Sequence, residues 1–549
     1  MQFTQDTPSK TAQTAFWLAF VLAWLILLGT RALIHPDEGR YAMLSLGMLQ
    51  SGDWVTPRLN GQLYFEKPAL QYWAGAIAFK LFGINEFAAR FWPGLTGLLS
   101  ILAVGVTARR LWSNGHFAAL VMAGTTWIAA NSHFLNLDTG LSFFLTVALC
   151  AFVLAQQDDA RPPAIRNAMW LAWAAMAGAT LSKGLIGLVI PAGSLFCYSL
   201  VCWDWRPWRR MHWLSGLLIL LLLCAPWFAL VSLRNPEFAR FFFIHEHFER
   251  FLTTVHGREA PFWFFVPVLL IGFMPWTSLL PRLVIDGLRR SSGDGFQTGR
   301  FLLIWALFVF AFFTKSSSKL PSYILPMFPA LALLLGQSLA NTRAAVLKKH
   351  LWLPLLLWGI LACALPLTHF LPEDPGTPPT AYAFLATWLS IGGIVFLLCG
   401  ALAWRALSRE KAQAAIMLLC AGSLGGVLCA SQGHDAIGRL KSSKDLVAQI
   451  QPYVHPDTEI FSVNVYEQTF PFYLQRPVIL VNYEDEFAFG QRVEPTRSIA
   501  STEAFVSRWK AAPDAMAMMQ EDTFNTLSQR GLPMKAVYRD IRRIVVVKQ

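Results

Sequence analysis

The sequence predicts a polytopic α-helical membrane protein carrying interfacial helices and ending in a small soluble α/β domain. Composition and a late change of pattern lead there. Of 549 residues, 55% are hydrophobic and only 14% charged, whereas a soluble domain has about 25% charged residues. The apolar residues lie in long runs such as 16–30, 214–233 and 351–367, and a helix crosses hydrocarbon with about 20 mainly apolar residues. Beyond residue 430 the runs stop. Helix-like stretches (443–450, 502–510, 523–530) then alternate with strand-like ones (459–463, 477–481, 535–538, 543–548), the pattern of a mixed soluble fold.

The net charge of +12 raises nucleic acid as a partner until the cations are placed. Sixteen of the 45 Lys and Arg cluster in short segments between apolar runs: Arg109-Arg110, 161–166, 206–210, 282–290, 343–349 and 405–411. Positive-inside topology accounts for them and removes the case for nucleic acid. Putting each basic segment on the cytoplasmic side gives about thirteen spans with the N-terminus inside. They are 14–33, 87–108, 117–130, 141–154, 168–181, 185–202, 214–233, 262–280, 301–313, 320–339, 351–371, 383–403 and 414–430. The shorter stretch 69–82 is an interfacial helix, because counting it as a span inverts every later segment. The membrane domain is therefore 1–430, with far-side loops at 34–86 and 234–261. The α/β domain is 431–549, also on the far side.

Twenty-two Trp suit anchoring at the lipid–water boundary, where an indole buries its rings and keeps its N–H wet. The eight Cys all fall in apolar stretches without paired spacing, so they read as small buried hydrophobes with neither disulfides nor a metal knuckle. The first apolar run meets Arg31 without a small-residue cleavage site, which reads as an uncleaved first helix.

This topology collects an unusual polar inventory on the far side. His35-Pro36-Asp37-Glu38-Gly39-Arg40-Tyr41 follows the first span. Adjacent carboxylates at a membrane boundary can bind a metal, pair with Arg40 or act on a substrate in the same layer; the bland alternative is an ion-paired loop. Tyr64-Phe65-Glu66-Lys67-Pro68 then puts a cation at headgroup depth, where Lys67 can hold a phosphate or simply snorkel. Asp138, Lys183, Lys315 and Lys319 also sit at far-side ends of spans, and the three lysines run against the positive-inside bias. That favours an anionic ligand. In the loop 234–261, His245, His247 and His256 can ligate a divalent ion such as zinc with Glu66 or Glu249. The His-Glu-His spacing, however, does not put two histidines on one helical face. No cofactor is required by the sequence, and interfacial polar residues are the competing reading of these histidines.

The chain resembles the membrane glycosyltransferases of the C-type (GT-C) fold, which include protein O-mannosyltransferases, bacterial oligosaccharyltransferases and the aminoarabinose transferases of lipid A. The resemblance rests on Asp37-Glu38 after the first span, the segment 68–82 ending Phe79-Lys80-Leu81-Phe82-Gly83, and Asp138 two spans later. Ser182-Lys183-Gly184 and Ser318-Lys319-Leu320-Pro321-Ser322-Tyr323 look most like the aminoarabinose branch. It implies transfer of 4-amino-4-deoxy-L-arabinose from undecaprenyl phosphate to a lipid A phosphate, on the periplasmic side of the bacterial inner membrane. Asp37, Glu38 and Asp138 are then the catalytic candidates. Lys67, Arg40 and Arg258 would hold the lipid phosphate with Tyr64 and Tyr323 as donors, and Tyr41, Lys183, Lys315 and Lys319 would complete the substrate-binding set. Two rivals stay open. One is a polyprenyl-phosphate-sugar transferase acting on a protein or another envelope acceptor; the other is a flippase of anionic lipids, whose ionisable residues belong nearer mid-span.

Overall fold

The computed structural model describes residues 8–112, 115–249, 260–289, 295–340, 342–368 and 376–549, with the backbone alone at 245–249. The first helix, α1 (Lys10–Ile26), starts where Ser9 Oγ accepts the Ala12 N–H at 3.2 Å, satisfying one of the donors that a helix start leaves open. The segment expected as a far-side loop is largely structured. It forms α2 (Asp37–Ser51), a two-stranded hairpin of β1 (Arg58–Leu59) and β2 (Gln62–Leu63), and α3 (Leu70–Phe82), the helix expected at the interface. Then follow α4 (Glu86–Leu111), α5 (His116–Gly124), α6 (Thr126–Ser132), α7 (Asp138–Ala155), α8 (Pro162–Lys183) and α9 (Ile186–Cys202).

Among the described residues, nine helices are long and apolar enough to cross a membrane. A tenth is the pair Phe265–Gly272 and Thr277–Leu288, bent by 109°. The straight span expected at 262–280 is thus broken near Pro275, a residue that has no N–H to donate. Three other expected spans are helical without reaching that standard: 117–130 is interrupted at Thr125 between α5 and α6, α8 is rich in weakly apolar Ala, and α9 has 17 residues. The expected span 351–371 is shifted toward the N-terminus, since the qualifying stretch is Ala344–Ala362. All eight cysteines are free, but only Cys150, Cys224 and Cys420 are buried; Cys363 is exposed on an apolar helix end, which corrects the expectation of eight buried thiols.

The chain divides into two compact units. The first comprises residues 1–28, 90–369 and 386–433. Its helices pack through small residues, as lipid-embedded helices do for want of a hydrophobic drive between them. A Cβ on Gly336 would lie 2.5 Å from the Ala118 backbone, so the helix Phe328–Ala340 touches α5 only because that side chain is missing. Leu214, Leu222 and Leu233 are among many exposed leucines on its flank, the surface a lipid environment requires.

The second unit comprises residues 29–89, 370–385 and 434–549. Its sheet contains six strands in the order β5-β4-β3-β6-β8-β7, with β3 (Glu459–Val463), β4 (Ile479–Val481), β5 (Ser498–Ile499), β6 (Ala515–Met519), β7 (Met534–Arg539) and β8 (Ile544–Lys548). β5, β4, β3 and β6 are parallel, while β8 pairs antiparallel with β6 and β7. Phe461, Phe505, Trp509, Met519 and Val546 form its core. The hairpin is tied into this unit: Asn60 exchanges two 2.8 Å hydrogen bonds with the Val478 backbone, and Arg58 grips Glu494 at 2.7 and 2.9 Å.

Candidate active site

In the second unit the motif after the first span opens α2, with both carboxylates in its first turn, where the helix dipole favours negative charge. Their environments differ sharply. Glu38 is buried, and its Oε2 accepts the Ile34 N–H at 3.1 Å, closing the turn before the helix. Asp37 keeps 44% of its side chain exposed and accepts from Arg40 Nη1 at 2.6 Å. One carboxylate is thus built into the fold and the other is open to solvent. Gly39, the next residue in sequence, has a separate reason to be glycine. A Cβ there would lie 2.6 Å from the backbone of Gln468 and Thr469, so α2 can approach the helix Thr469–Leu474 only without one.

Arg40 is also held through Nε by Glu486, which in turn accepts from Gln468 Nε2 at 2.7 Å. Gln468 Oε1 lies 2.7 Å from His35 Nδ1. Tyr41 and Tyr64 lie near enough to act electrostatically on the guanidinium, and Tyr41 stacks on Tyr72. Burial, with nearby Asp37 for Tyr41 and Glu66 for Tyr64, pushes both phenols well above their usual range, so both are hydrogen-bond donors at neutral pH. Burial likewise raises the Glu486 carboxyl, and Arg40 partly offsets it. Lys67 follows the hairpin and donates to the Glu66 carbonyl at 2.7 Å. This unit therefore collects Asp37, Arg40, Tyr41, Tyr64, Glu66 and Lys67 on two neighbouring segments of the chain. Such a set presents cations and hydroxyl donors to an anionic oxygen and an open carboxylate to whatever binds beside it.

The first unit holds a second cluster. Asp138 opens α7, whose first turn is fixed by Asn136 Oδ1 accepting the Thr139 N–H at 2.9 Å. Its carboxylate pairs with Lys183 at the end of α8 and accepts from Ser322 Oγ at 2.5 Å. Lys183 Nζ also lies 4.2 Å from the centre of the Tyr323 ring, a cation–π contact. The structure thus brings Asp138, Lys183 and Tyr323 together and adds Ser322. Lys319 donates to the Ala260 carbonyl at 3.0 Å, whereas Lys315 is exposed at the end of its helix.

Arg258 and His256 lie outside the described residues, as do the side chains of His245 and His247. Among the described residues no group of three or more His, Cys, Asp or Glu could hold a metal ion, and Glu66 is the one member of the expected set whose side chain is described.

Residues 12–242 match the dolichyl-phosphate-mannose-protein mannosyltransferase family, and residues 446–548 match the aminoarabinose transferase C-terminal domain. The undecaprenyl phosphate-α-4-amino-4-deoxy-L-arabinose arabinosyl transferase of Erwinia tasmaniensis is 33% identical over 415 residues, 71% of this chain and 72% of that protein. The chain belongs to the aminoarabinose transferase family. The transferase of the same name from Pseudomonas aeruginosa strain LESB58 is 37% identical over 334 residues, and the match spans 59% of each chain. ArnT from Cupriavidus metallidurans, crystallised with undecaprenyl phosphate, superposes with a TM-score of 0.92 at 35% identity over 98% of each chain. Its apo crystal structure gives 0.90 at 36% identity over the same shares. As a member of this family the chain is a multi-pass membrane protein of the GT-C fold.

The residues that sequence reasoning missed in this transferase are Glu486, Gln468, Tyr72 and Ser322. Ser322 stands beside Tyr323 in a stretch already singled out. For Glu486 the available signal was the acidic turn Glu484-Asp485-Glu486 in an otherwise ordinary domain, with nothing to connect it to Arg40.

Proposed function

We propose that this aminoarabinose transferase moves 4-amino-4-deoxy-L-arabinose from undecaprenyl phosphate to a phosphate of lipid A, on the periplasmic face of the bacterial inner membrane. The observation that carries this reading is the 35% identity over 98% of a protein crystallised with undecaprenyl phosphate. In the reaction an oxygen of the acceptor phosphate forms a bond to the anomeric carbon, and the bond from that carbon to the donor phosphate oxygen breaks. Undecaprenyl phosphate leaves with the electron pair. Charge therefore grows on the leaving phosphate, and Lys67 and Arg40, with Arg258 and the donors Tyr64 and Tyr323, are the groups suited to stabilise it.

Asp37 orients the acceptor, takes a proton from it or pairs with the amine of the donor sugar. A phosphate monoester has a second pKa of about 6 and is largely ionised at neutral pH, so positioning outweighs proton abstraction. In this reading the N-terminus and basic segments are cytoplasmic, and the segment 34–86 and the α/β domain are periplasmic.

The match of residues 12–242 to protein mannosyltransferases keeps a protein acceptor in view, but the aminoarabinose-type domain at 446–548 weighs against it. Against a flippase stands the position of Asp138 and Lys183 at helix ends. Mass spectrometry of lipid A from cells with and without the gene is the direct test. Loss of a pentosamine-sized increment on deletion is expected, and unchanged lipid A would move the acceptor elsewhere. With purified protein, Lys67→Ala is expected to weaken undecaprenyl phosphate binding roughly ten-fold or more, the cost of a lost charged hydrogen bond.

A further inference from the structure

The first unit contains a cavity of about 410 Å³ at the end that bears Arg109 and the start of α1. It lies among α1, α4, α5 and the helix Ala412–Leu440. Its inner wall is apolar: Trp17, Leu98, Ile101, Leu120 and Met417. Leu102 and Val106 on its rim are 59% and 43% exposed, so the cavity opens sideways through the flank of the unit that faces lipid. Polar groups are confined to the helix ends. Arg109 stands in the last turn of α4, His116 begins α5, and Gln413 is the second residue of its helix.

Two of these polar groups lack an internal partner. His116 Nε2 and Gln413 Oε1 are buried atoms with no hydrogen bond among the described residues, and Gln413 is only 3% exposed. A buried polar atom without a partner is unfavourable, so a ligand that supplies one is favoured. Gln413 Oε1 needs an N–H or O–H donor, and the exposed Arg109, close enough to act electrostatically on His116, offers its charge to an anion. The apolar wall below needs hydrocarbon.

We infer that this cavity binds one anionic phospholipid with a hydroxyl-bearing headgroup, of the phosphatidylglycerol class. Its phosphate meets Arg109 and His116, a headgroup hydroxyl donates to Gln413 Oε1, and an acyl chain enters between α1 and α4. Basic pockets between spanning helices are a known means of holding anionic headgroups. This is a site for a resident lipid of the leaflet bordering the basic segments, and its lining shares no residue with the Asp37 or Asp138 clusters.

The test is native mass spectrometry of the full chain in detergent after exchange with defined lipids. The expected result is one retained phosphatidylglycerol per chain, in preference to phosphatidylcholine and phosphatidylethanolamine. Arg109→Gln is expected to reduce that preference roughly five-fold, as removal of one cation at a lipid surface does. Leu102→Trp, a change on an exposed rim position, is expected to exclude the lipid from a chain that melts normally. Equal retention of the zwitterionic lipids, or full retention by both variants, would overturn the inference. So would displacement of the lipid by inorganic phosphate, which would mean that the hydrocarbon wall adds nothing, or retention of undecaprenyl phosphate alone, which would make the cavity part of the substrate path.

Discussion

Arg40 Nη1 donates to Asp37 Oδ1 at 2.6 Å, one turn along α2. Glu486, 446 residues further along the chain, holds the other edge of the same guanidinium. The solvent-exposed carboxylate of the pair is therefore positioned by an arginine that is itself clamped from the C-terminal domain. Asp37→Asn and Glu486→Gln are both expected to lower transfer, by different routes. Asp37→Asn is expected to reduce kcat roughly 100-fold or more in a chain that melts normally. Glu486→Gln frees one edge of Arg40, and a loosened group in an active site costs roughly 10- to 100-fold. Restoration by Glu486→Asp of part of the lost kcat separates positioning from a merely structural role. Transfer assays beside thermal melts decide it, and normal kcat in a folded Asp37→Asn variant would end its catalytic assignment.

Gly39 carries a second consequence of the same helix. With a Cβ 2.6 Å from the Gln468 and Thr469 backbone, Gly39→Ala must push α2 away from the helix that follows Gln468. Overpacking of this kind costs about 1–3 kcal/mol. The expected outcome is a lower melting temperature together with reduced transfer, since Gln468 supports Glu486. A variant with unchanged melting and activity would show that the two helices can separate at no cost.

The spans were legible because hydropathy is local, as was the alternation behind β3 and β8. β6 was not: Ala515-Met516-Ala517-Met518-Met519 is built from helix-favouring residues, and it is a strand because it is buried between β3 and β8. α2 was also missed, since its polar start reads as loop until Glu38 and Gly39 are seen packed. In the candidate site, Asp37, Arg40, Tyr64 and Lys67 were visible because they stand in short motifs beside a span. Glu486 and Gln468 were invisible for the opposite reason. They join the site through tertiary contacts that no spacing encodes.

Two carboxyls of the second unit respond to pH with opposite sign. Arg58, bound to both oxygens of Glu494, lowers that carboxyl's pKa. Its stabilisation is present above the unfolded value of about 4.3 and disappears as pH falls through the lower folded value. Glu486 is raised by burial, so its contribution is complete below about pH 4.3 and is lost as pH rises through the higher folded value. Glu494→Gln is then expected to lose about 1 kcal/mol at pH 7 and little in acid. Glu486→Gln removes a loss of stability that the parent chain suffers on going from acid to neutral pH. Melting temperatures from pH 3 to 8 in the two variants check both signs, and parallel profiles would contradict the assignment.

The Asp138–Lys183 pair tests how much of the second cluster is architecture. The side chains are 8% and 16% exposed, and removing one member of a buried pair costs about 3–5 kcal/mol because the other charge is stranded. Asp138→Asn and Lys183→Met are each expected to destabilise the first unit by that order. The double variant should be less destabilised than the sum, with a coupling of about 1–3 kcal/mol. Ser322→Ala removes a hydroxyl that donates to the same carboxylate and is expected to cost only about 1 kcal/mol. Activity then separates the two roles. If Asp138 only neutralises Lys183, the double variant regains transfer along with stability. If Asp138 or Lys183 meets a lipid phosphate, the double variant recovers its melting temperature and stays inactive, since neither replacement can offer the lost charge to the substrate.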